Sequence, residues 1–416
     1  MVVSGLRLVN FRSYCDATVL FGPGLNVVVG ANAAGKTNLL EAAWFALRGS
    51  SPRTRREEKL ITWGERFARV ELELDTDAGA QRVDVGFAPG QGKRVRWGGI
   101  EVASLDDLRG RSQVFIFVPE SLLLVKGSPA RRRAHLDAFA AALDPQYAAA
   151  ARDLQGVLRQ RNAQLAAVKS GADPAALDPW DAQLARVAAE LGRRRRDLVA
   201  ELAAGFADTA ACLAPAGESF TLRLVAQLEG VGYDEAELLE ELRTRRPGEV
   251  SRGLSLFGPH RDDLKFLEIG PTGDPPRPSS PIVPTATGGP VCGPVEFPRG
   301  VRDLRLFGSQ GEQRAAVLAL LLAEQRLAAE RTGQQGPLFL DDVMSELDDA
   351  RRRLLVRRLA TAGQAVITTT NRHYFTDEEL AGATVVQLPL DGSLAAGAAS
   401  PPPDEPPPAP PDLDAL

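Results

Sequence analysis

The stretch 25–38, with the sequence LNVVVGANAAGKTN, restricts the fold more than any other part of the chain. It starts with five residues of the apolar composition typical of a buried strand, and the residues after it form an apolar face at helical spacing. Between them, residues 30–37 match the phosphate-binding pattern G-x-x-x-x-G-K-[ST]. A strand, a glycine-bracketed loop and a helix in this order predict an α/β fold.

The residue types of this loop predict its chemistry. Inward-facing backbone N–H groups and a helix N-terminus together make a concave site for a polyphosphate. Lys36 supplies a mobile positive charge for the β- and γ-phosphates, and Thr37 supplies a hydroxyl ligand for Mg²⁺. The predicted nucleotide-binding residues here are Gly30, Ala31, Asn32, Ala33, Ala34, Gly35, Lys36 and Thr37.

Length and composition set outer limits on the protein class. A chain of 416 residues is long enough for more than one domain, and its 44% hydrophobic and 25% charged residues are typical of a soluble globular protein. No run of about 18 apolar residues predicts a membrane span, and the first residues lack the pattern of a secretion signal, so we expect a cytoplasmic protein. Cysteines and histidines are scattered, and no metal beyond Mg²⁺ is predicted.

Short strands are predicted before residue 120 and helices after it. Residues 4–21 alternate in the manner of an antiparallel strand pair, and further strands are predicted at 67–74, 81–87, 94–97 and 114–118. This first part is therefore predicted to be mixed α/β.

The segment 129–213 is rich in alanine, leucine, arginine and glutamine. Its leucine spacing predicts two helices around a turn at 171–174. We interpret them as an antiparallel pair that stands away from the rest of the protein, and an ordinary helical bundle fits the pattern equally well.

Strands return after the helical segment. Residues 220–224 alternate as a strand, and residues 252–257 and 264–269 suggest a hairpin around the sequence GPHRDD at 258–263. Residues 270–300 are dominated by proline, glycine, serine and threonine, with too few large apolar groups to offset the entropy of ordering them. They are predicted to be a disordered insertion.

Residues 336–342 combine a turn, an apolar strand and two carboxylates. This is the pattern of a Walker B strand, in which one carboxylate holds Mg²⁺ and a second orients the water that attacks the γ-phosphate. We assign Asp341 to the metal and Asp342 to the water, so the predicted catalytic residues are Asp341, Asp342 and Lys36. By itself such a strand end is weak evidence; the P-loop upstream favours the catalytic interpretation.

The sequence Ser309-Gln310-Gly311-Glu312 directly precedes a long run with leucines at helical spacing. A serine hydroxyl and free backbone N–H groups at a helix start form a second anion site, although the bare pattern is also that of a helix cap. Its position before the Walker B strand favours nucleotide binding by Ser309 and Gly311.

Together these motifs, followed by Ser-Glu-Leu-Asp at 345–348, resemble the ABC-type ATPase heads of SMC-like DNA repair proteins. Within that group the chain resembles the RecF family, through NFRSY at 10–14, LVKGSPARRR at 124–133 and GPHRDD at 258–263. The resemblance implies an α/β fold: an ABC-type P-loop ATPase head, built on a mixed sheet with helices, plus a helical arm domain.

The resemblance also implies domain boundaries. The head comprises residues 1–125 and 216–392, interrupted by the insertion at 270–300, and the helical arm comprises residues 126–215. A Pro-rich, acidic tail at 393–416 is predicted to be unstructured.

The resemblance further implies a function for the motifs. Ser309 reaches the γ-phosphate held by the P-loop of a second copy, so that ATP joins a homodimer and its hydrolysis releases it, with residues 345–348 as the D-loop across the interface. Such proteins bind DNA at single-strand/double-strand gap junctions, act as weak DNA-stimulated ATPases, and promote RecA loading with RecR and RecO. ATP and Mg²⁺ are the implied cofactors.

Three departures from the general ABC pattern affect this inference. Asp342 stands where a longer glutamate is usual, which suggests slow turnover, and Glu312 stands where glutamine is usual. The transporter-type switch histidine is absent from residues 368–371.

DNA contacts are predicted from arginine clusters, because the net charge of −5 argues against a uniformly basic DNA-coating protein. The candidate DNA-binding residues are Arg131, Arg132, Arg133, Arg193, Arg194, Arg195 and Arg196. The same runs fit ordinary solvated helix faces. No base-reading module is evident, so structure-selective binding is expected.

Two other functions share these motifs. An ABC transporter ATPase has the same P-loop, signature and Walker B strand, but its P-loop and signature normally lie much closer together. A non-catalytic scaffold could hold ATP as a structural ligand, although the two aspartates argue against it.

Overall fold

The computed structural model describes residues 1–213, 219–228, 233–270 and 300–389. Most of the predicted insertion, residues 271–299, and the predicted tail at 393–416 lie outside the described residues. Internal contacts divide the chain into two compact units, the first formed by residues 1–121 and 325–416 and the second by residues 122–324.

The described strands are β1 Val2–Phe11, β2 Tyr14–Leu20, β3 Leu25–Val29, β4 Ala68–Thr76, β5 Gly79–Ala88, β6 Gly92–Trp97, β7 Ile100–Glu101, β8 Phe115–Phe117, β9 Ser219–Val225, β10 Asp263–Ile269, β11 Val301–Asp303, β12 Leu338–Leu340, β13 Ala365–Thr369 and β14 Thr384–Gln387. The described α-helices are α1 Lys36–Arg48, α2 Leu105–Arg111, α3 Leu123–Lys126, α4 Pro129–Leu143, α5 Pro145–Lys169, α6 Asp178–Leu213, α7 Glu235–Arg252, α8 Leu304–Phe307, α9 Gln310–Thr332, α10 Asp349–Leu359 and α11 Asp377–Ala381. None of these helices combines the length and apolar character needed to cross a bilayer.

The first unit contains two sheets. Strands β14-β3-β13-β12-β8 pair in parallel, and β2-β1-β4-β5-β6-β7 pair antiparallel. The α/β fold is therefore confirmed, with the parallel and the antiparallel strands in separate sheets, and a strand is present at Leu338–Leu340 as predicted. Short turns join the antiparallel strands, whereas the parallel strands are joined by long connections, most of which contain helices.

Helix α1 packs against strands of both sheets, which places the end of the P-loop in the core. The Phe45 ring lies 6.1 Å from the Phe11 ring on β1 and 5.1 Å from the Phe87 ring on β5. All three side chains are buried, and burying one phenylalanine contributes about 1.5–3 kcal/mol. The orientation of α1 is thus fixed by apolar contacts independent of any ligand.

In the second unit, α4 to α7 pack with the antiparallel sheet β11-β10-β9. Helices α5 and α6 contact each other as predicted, and α5 also contacts α4 and α7. The predicted hairpin is wrong: α7 continues through Pro247 to Arg252 and ends at Gly253, whose φ is 68°. Strand β10 pairs with β9 and β11 instead.

The contact-based units differ from the predicted domains. The described residues of 216–324 group with the helices, because β9 packs along α6 and β10 packs on α4. The extent of the ATPase head and helical arm remains a prediction.

Candidate functional site

The P-loop connects β3, whose five residues are all buried, to the start of α1. Gly35 at the helix start has a φ of 92°, a value that side chains disfavour. A Cβ at Gly35 would lie 2.6 Å from Tyr14 Oη and 3.1 Å from Ser13 Oγ. The β1–β2 turn therefore packs so closely on the loop that only glycine fits there.

The ammonium group of Lys36 lies over the backbone of its own loop. Its Nζ donates hydrogen bonds to the carbonyl oxygens of Gly30 and Ala31, both at 2.8 Å. Burial lowers the pKa of Lys36 below its ordinary value, while the Walker B carboxylates act in the opposite direction. The loop thus holds a cation ready for a polyphosphate, as the sequence predicted from the motif.

Asp341 lies at the end of β12 and accepts a hydrogen bond from each of two threonine hydroxyls. Its Oδ2 lies 2.7 Å from Thr37 Oγ1, and its Oδ1 lies 2.7 Å from Thr368 Oγ1 on β13. The structure therefore brings together the two residues predicted to bind Mg²⁺. Hydroxyl and carboxylate oxygens are the donors that Mg²⁺ prefers, with substrate phosphates and water in the remaining positions.

Asp342 occupies a strained position beside this pair. Its φ of 47° is left-handed, and its backbone N–H donates to Thr368 Oγ1 at 3.0 Å. Its Oδ1 is buried without a hydrogen-bond partner among the described residues. Burial raises the pKa of the Asp342 carboxyl, Ser345 and Lys36 oppose the shift, and Asp341 adds to it. A buried acceptor of this kind is suited to orient a water molecule.

Sequence reasoning missed two groups that support the site. Thr368 hydrogen-bonds to both Walker B residues, and only its place in a TTTN run after a strand could have indicated it. Arg12 makes two hydrogen bonds, at 2.9 and 2.8 Å, to the buried carboxylate of Glu41 on α1. The presence of Arg12 in the NFRSY stretch was the available signal.

The signature residues Ser309 and Gly311 belong to the second unit. Ser309 is exposed at the start of α9, where its Oγ accepts from the Glu312 N–H at 3.2 Å. Glu312 Oε2 in turn accepts from the Ser309 N–H at 2.7 Å. The two residues form a capping box, so Glu312 takes up the backbone donor of the signature serine.

Comparison with known proteins identifies the family. A protein from Halalkalibacterium halodurans named "DNA replication and repair protein RecF" is 34% identical over 405 residues, which cover 95% of this chain and 99% of that protein. A RecF from Lacticaseibacillus casei is 33% identical over 95% of this chain and all of its own length. The chain belongs to the RecF family.

The fold comparisons agree with this assignment. A solved RecF bound to ATP superposes with a TM-score of 0.72 at 25% identity, covering 90% of this chain and 93% of that one. A model of the AAA domain matches residues 6–120. An Smc head, at 16% identity and a TM-score of 0.52, shares the fold. The fold is thus that of RecF and of SMC-type ATPase heads.

The predicted DNA-binding arginines have different environments in this RecF-family chain. Arg132 and Arg195 are only 2% and 1% exposed. Arg132 binds Asp263 through two hydrogen bonds of 2.6 and 2.9 Å, and Arg195 binds Asp137 at 2.7 Å and Asp262 at 2.9 Å. Both guanidinium groups form ion pairs inside the protein. The presence of these two arginines in the clusters is therefore explained without DNA binding.

The remaining arginines of the two clusters are more accessible. Arg131, Arg193 and Arg196 are exposed. Arg193 pairs with Glu190 and Arg196 with Asp197, both acids of α6, and the Arg196 guanidinium also lies 4.8 Å from the centre of the Tyr233 ring. Arg133 and Arg194 are half-buried, with Arg133 donating to the Asp262 carbonyl and Arg194 to Asp144. Exposed ion pairs are weak, so Arg193 and Arg196 can exchange a carboxylate for a phosphate.

Proposed function

We propose that this RecF-family chain is an ATP-driven switch for DNA binding in recombinational repair. An ATP-bound dimer clamps DNA at single-strand/double-strand gap junctions, and slow hydrolysis releases it. The observation that carries the proposal is the joined arrangement of Thr37, Asp341, Thr368 and Asp342 beside the P-loop, with Asp342 Oδ1 buried and unpartnered.

Residues of the first unit bind the nucleotide. Lys36 moves from the loop carbonyls to the phosphates, and Thr37 Oγ1 and Asp341 Oδ2 hold Mg²⁺. When bound, the ion neutralises charge on the β- and γ-phosphates. The oxygen-only donor pair fits Mg²⁺ rather than a softer metal.

Asp342 orients the attacking water through its free Oδ1. Burial raises the pKa of the Asp342 carboxyl, and its side chain is one methylene shorter than that of glutamate, so it reaches less far toward the water. We therefore expect weak ATPase activity that DNA stimulates.

The second unit supplies the dimer contact and part of the DNA surface. The exposed Ser309 would reach the γ-phosphate held by the P-loop of a second copy, and Gly311 allows that approach. Arg131, Arg193 and Arg196 would contact DNA phosphates. RecR, RecO and RecA are the proposed protein partners, in keeping with the RecFOR pathway named for the ATP-bound RecF structure, and the proposed location is the cytoplasm.

Two variants test this function. Lys36→Ala should abolish ATP binding and dimerisation, whereas Asp342→Asn should bind ATP, lose hydrolysis and accumulate as a dimer on gapped DNA. The measurement is molar mass by sedimentation velocity, with and without Mg-ATP and DNA, beside the rate of phosphate release.

The exposed Asp75 on β4 provides the matched control, since Asp75→Asn makes the same chemical change away from the site. It should behave as wild type. If Asp342→Asn dimerises no better than wild type, the switch is refuted. If phosphate release is zero in wild type and unchanged by DNA, a non-catalytic ATP-binding scaffold is the better description.

A further inference from the structure

Trp63 is the most exposed aromatic side chain among the large apolar residues described, with 72% of its surface open to solvent. It lies in the first unit, in the segment between α1 and β4. The other three tryptophans of the chain, Trp44, Trp97 and Trp180, are half-buried. Leaving most of an indole exposed forgoes the free energy that its burial would provide, which makes its position informative.

The indole is presented by a rigid turn rather than by a loose loop. The Glu65 N–H donates to the Thr62 carbonyl at 3.0 Å, and Gly64 has a φ of 85°, as the third position of a type II turn requires. Trp63 therefore occupies the projecting second position.

Hydrogen bonds to strand β1 and to the first residue of β2 hold this turn in place. The Thr62 N–H donates to the Asn10 carbonyl at 2.9 Å, and Thr62 Oγ1 donates to the Tyr14 carbonyl at 3.2 Å. Asn10 Nδ2 reaches Glu65 at 3.2 Å. Because these bonds already order the backbone, a ligand that contacts Trp63 pays little further entropy.

Cations precede the turn along the chain. Arg55, Arg56 and Lys59 are exposed, and none of them makes an ion pair within the residues that the structure describes. The acids nearby are Glu57, which is bound to Lys93, together with Glu58 and Glu65. Lys59 lies four residues from Trp63, which limits their separation to about 14 Å.

We propose that Trp63 stacks on an unpaired base of bound DNA while Arg55, Arg56 and Lys59 contact the adjoining phosphates. An indole needs the open face of a base, and only an unpaired or terminal base offers one, whereas a paired base in a duplex is stacked on both sides. A protein partner is less favoured, because residues 64–66 and the preceding 55–59 are mainly polar and do not extend the apolar area.

This inference rests on the proposed DNA-binding function and adds a reason for gap selectivity. A base is unpaired on one side of a single-strand/double-strand junction, and stacking there does not depend on sequence. The Trp63 turn would thus distinguish a gap from continuous duplex without reading bases.

Tryptophan fluorescence tests the contact directly, since Trp63 is the one highly exposed tryptophan in the chain. The full-length protein with Mg-ATP would be titrated with a thymidine oligonucleotide, a gapped duplex and a covalently closed duplex that has neither an unpaired nor a terminal base. We expect quenching by the first two and little by the third. In Trp63→Phe the quenching should disappear while most of the gapped-DNA affinity remains.

Affinity measurements on Trp63→Ala complete the test. It should bind gapped DNA about tenfold more weakly or worse, with the affinity for the covalently closed duplex unchanged. Ile100→Ala, which alters a side chain that is 74% exposed in the same unit, should have no effect. Equal losses for both DNAs, or no loss for either, would overturn the stacking contact.

Further outcomes separate this inference from the proposed function. If wild type binds no DNA with Mg-ATP, the proposed function itself fails. If wild type prefers gapped DNA but Trp63→Ala does so equally, only the present inference fails. Quenching by Mg-ATP without DNA would instead assign the Trp63 turn to contact with a second copy.

Discussion

At the start of α9, a carboxylate competes with any phosphate for the signature serine. Glu312 accepts from the Ser309 N–H, so its charge lies beside the residue that is proposed to reach the γ-phosphate. In the Glu312→Gln variant the amide oxygen can still accept that hydrogen bond, but the negative charge is gone. We predict that this variant dimerises at an ATP concentration about fivefold lower than wild type. Two like charges about 4 Å apart in water repel each other by about 1 kcal/mol.

The measurement is dimer mass as a function of Mg-ATP concentration. Glu312→Ala serves as the comparison, because it removes both the charge and the cap, and a lost cap costs about 1 kcal/mol of helix stability. An unchanged ATP midpoint in the glutamine variant would show that Glu312 does not oppose phosphate binding at Ser309.

Residues within local sequence motifs were the ones that could be placed from the sequence. Thr37 and Asp341 were each predicted to bind Mg²⁺, and their side-chain oxygens lie 2.7 Å apart, while the metal role itself stays a prediction. Thr368 could not be predicted, because its role depends on β13 pairing next to β12. Arg132 and Arg195 were predicted to lie at the surface, because the sequence does not show that distant aspartates pair with them in the interior.

At the scale of elements, one buried arginine holds three helices together. Arg161 on α5 is fully buried and binds Asp181 on α6 at 2.7 Å and Glu249 on α7 at 2.6 Å. Its third nitrogen donates to Ser255 Oγ at 2.8 Å. Removal of the cation would leave the buried carboxylate of Glu249 without its ion-pair partner, whereas Asp181 would keep its contact with Arg246 at 2.5 Å.

We predict that Arg161→Leu destabilises the helical unit by about 3–5 kcal/mol. Arg159→Leu, an exposed change on the same helix, should alter stability by less than about 0.5 kcal/mol. The measurement is denaturant unfolding followed by far-ultraviolet circular dichroism, analysed as separate transitions because two units need not unfold together. Equal midpoints for the two variants would contradict the structural role of Arg161.

Element boundaries were predictable where local signals decide them. Asp234 caps α7 as its residue type suggests, through hydrogen bonds to the N–H groups of residues 236 and 237. The end of α7 at Arg252 is not evident from local signals, because Pro247 is typical of a helix break. Burial of Glu249 against Arg161 outweighs that preference, and such tertiary contacts are not visible in one sequence.

For the whole molecule, the net charge of −5 requires that DNA binding be confined to a part of the surface. We predict that changing Arg131, Arg193 and Arg196 together to glutamine weakens DNA binding for every sequence alike. The slope of log affinity against log salt should fall by about 2 to 3, since each lost phosphate contact removes about 0.9.

Fluorescence anisotropy over a range of salt concentrations measures this slope. The matched control changes Arg159, Arg186 and Arg252, which are equally exposed arginines of the same unit, and should leave the slope nearly unchanged. A similar reduction in both triple variants would mean that general charge, rather than a defined surface, governs the interaction.

Thr368 has one further consequence, for how such an enzyme can change over time. Its single oxygen donates to Asp341 and accepts from the Asp342 backbone, so the metal-side acid and the water-side acid share one anchor. Replacing Asp342 with glutamate would move its carboxylate. The backbone of residue 342 would still be hydrogen-bonded to Thr368, which also holds Asp341. Rapid turnover would therefore require joint changes of this threonine and both acids, so the shared anchor would help to preserve the proposed slow hydrolysis in a lineage.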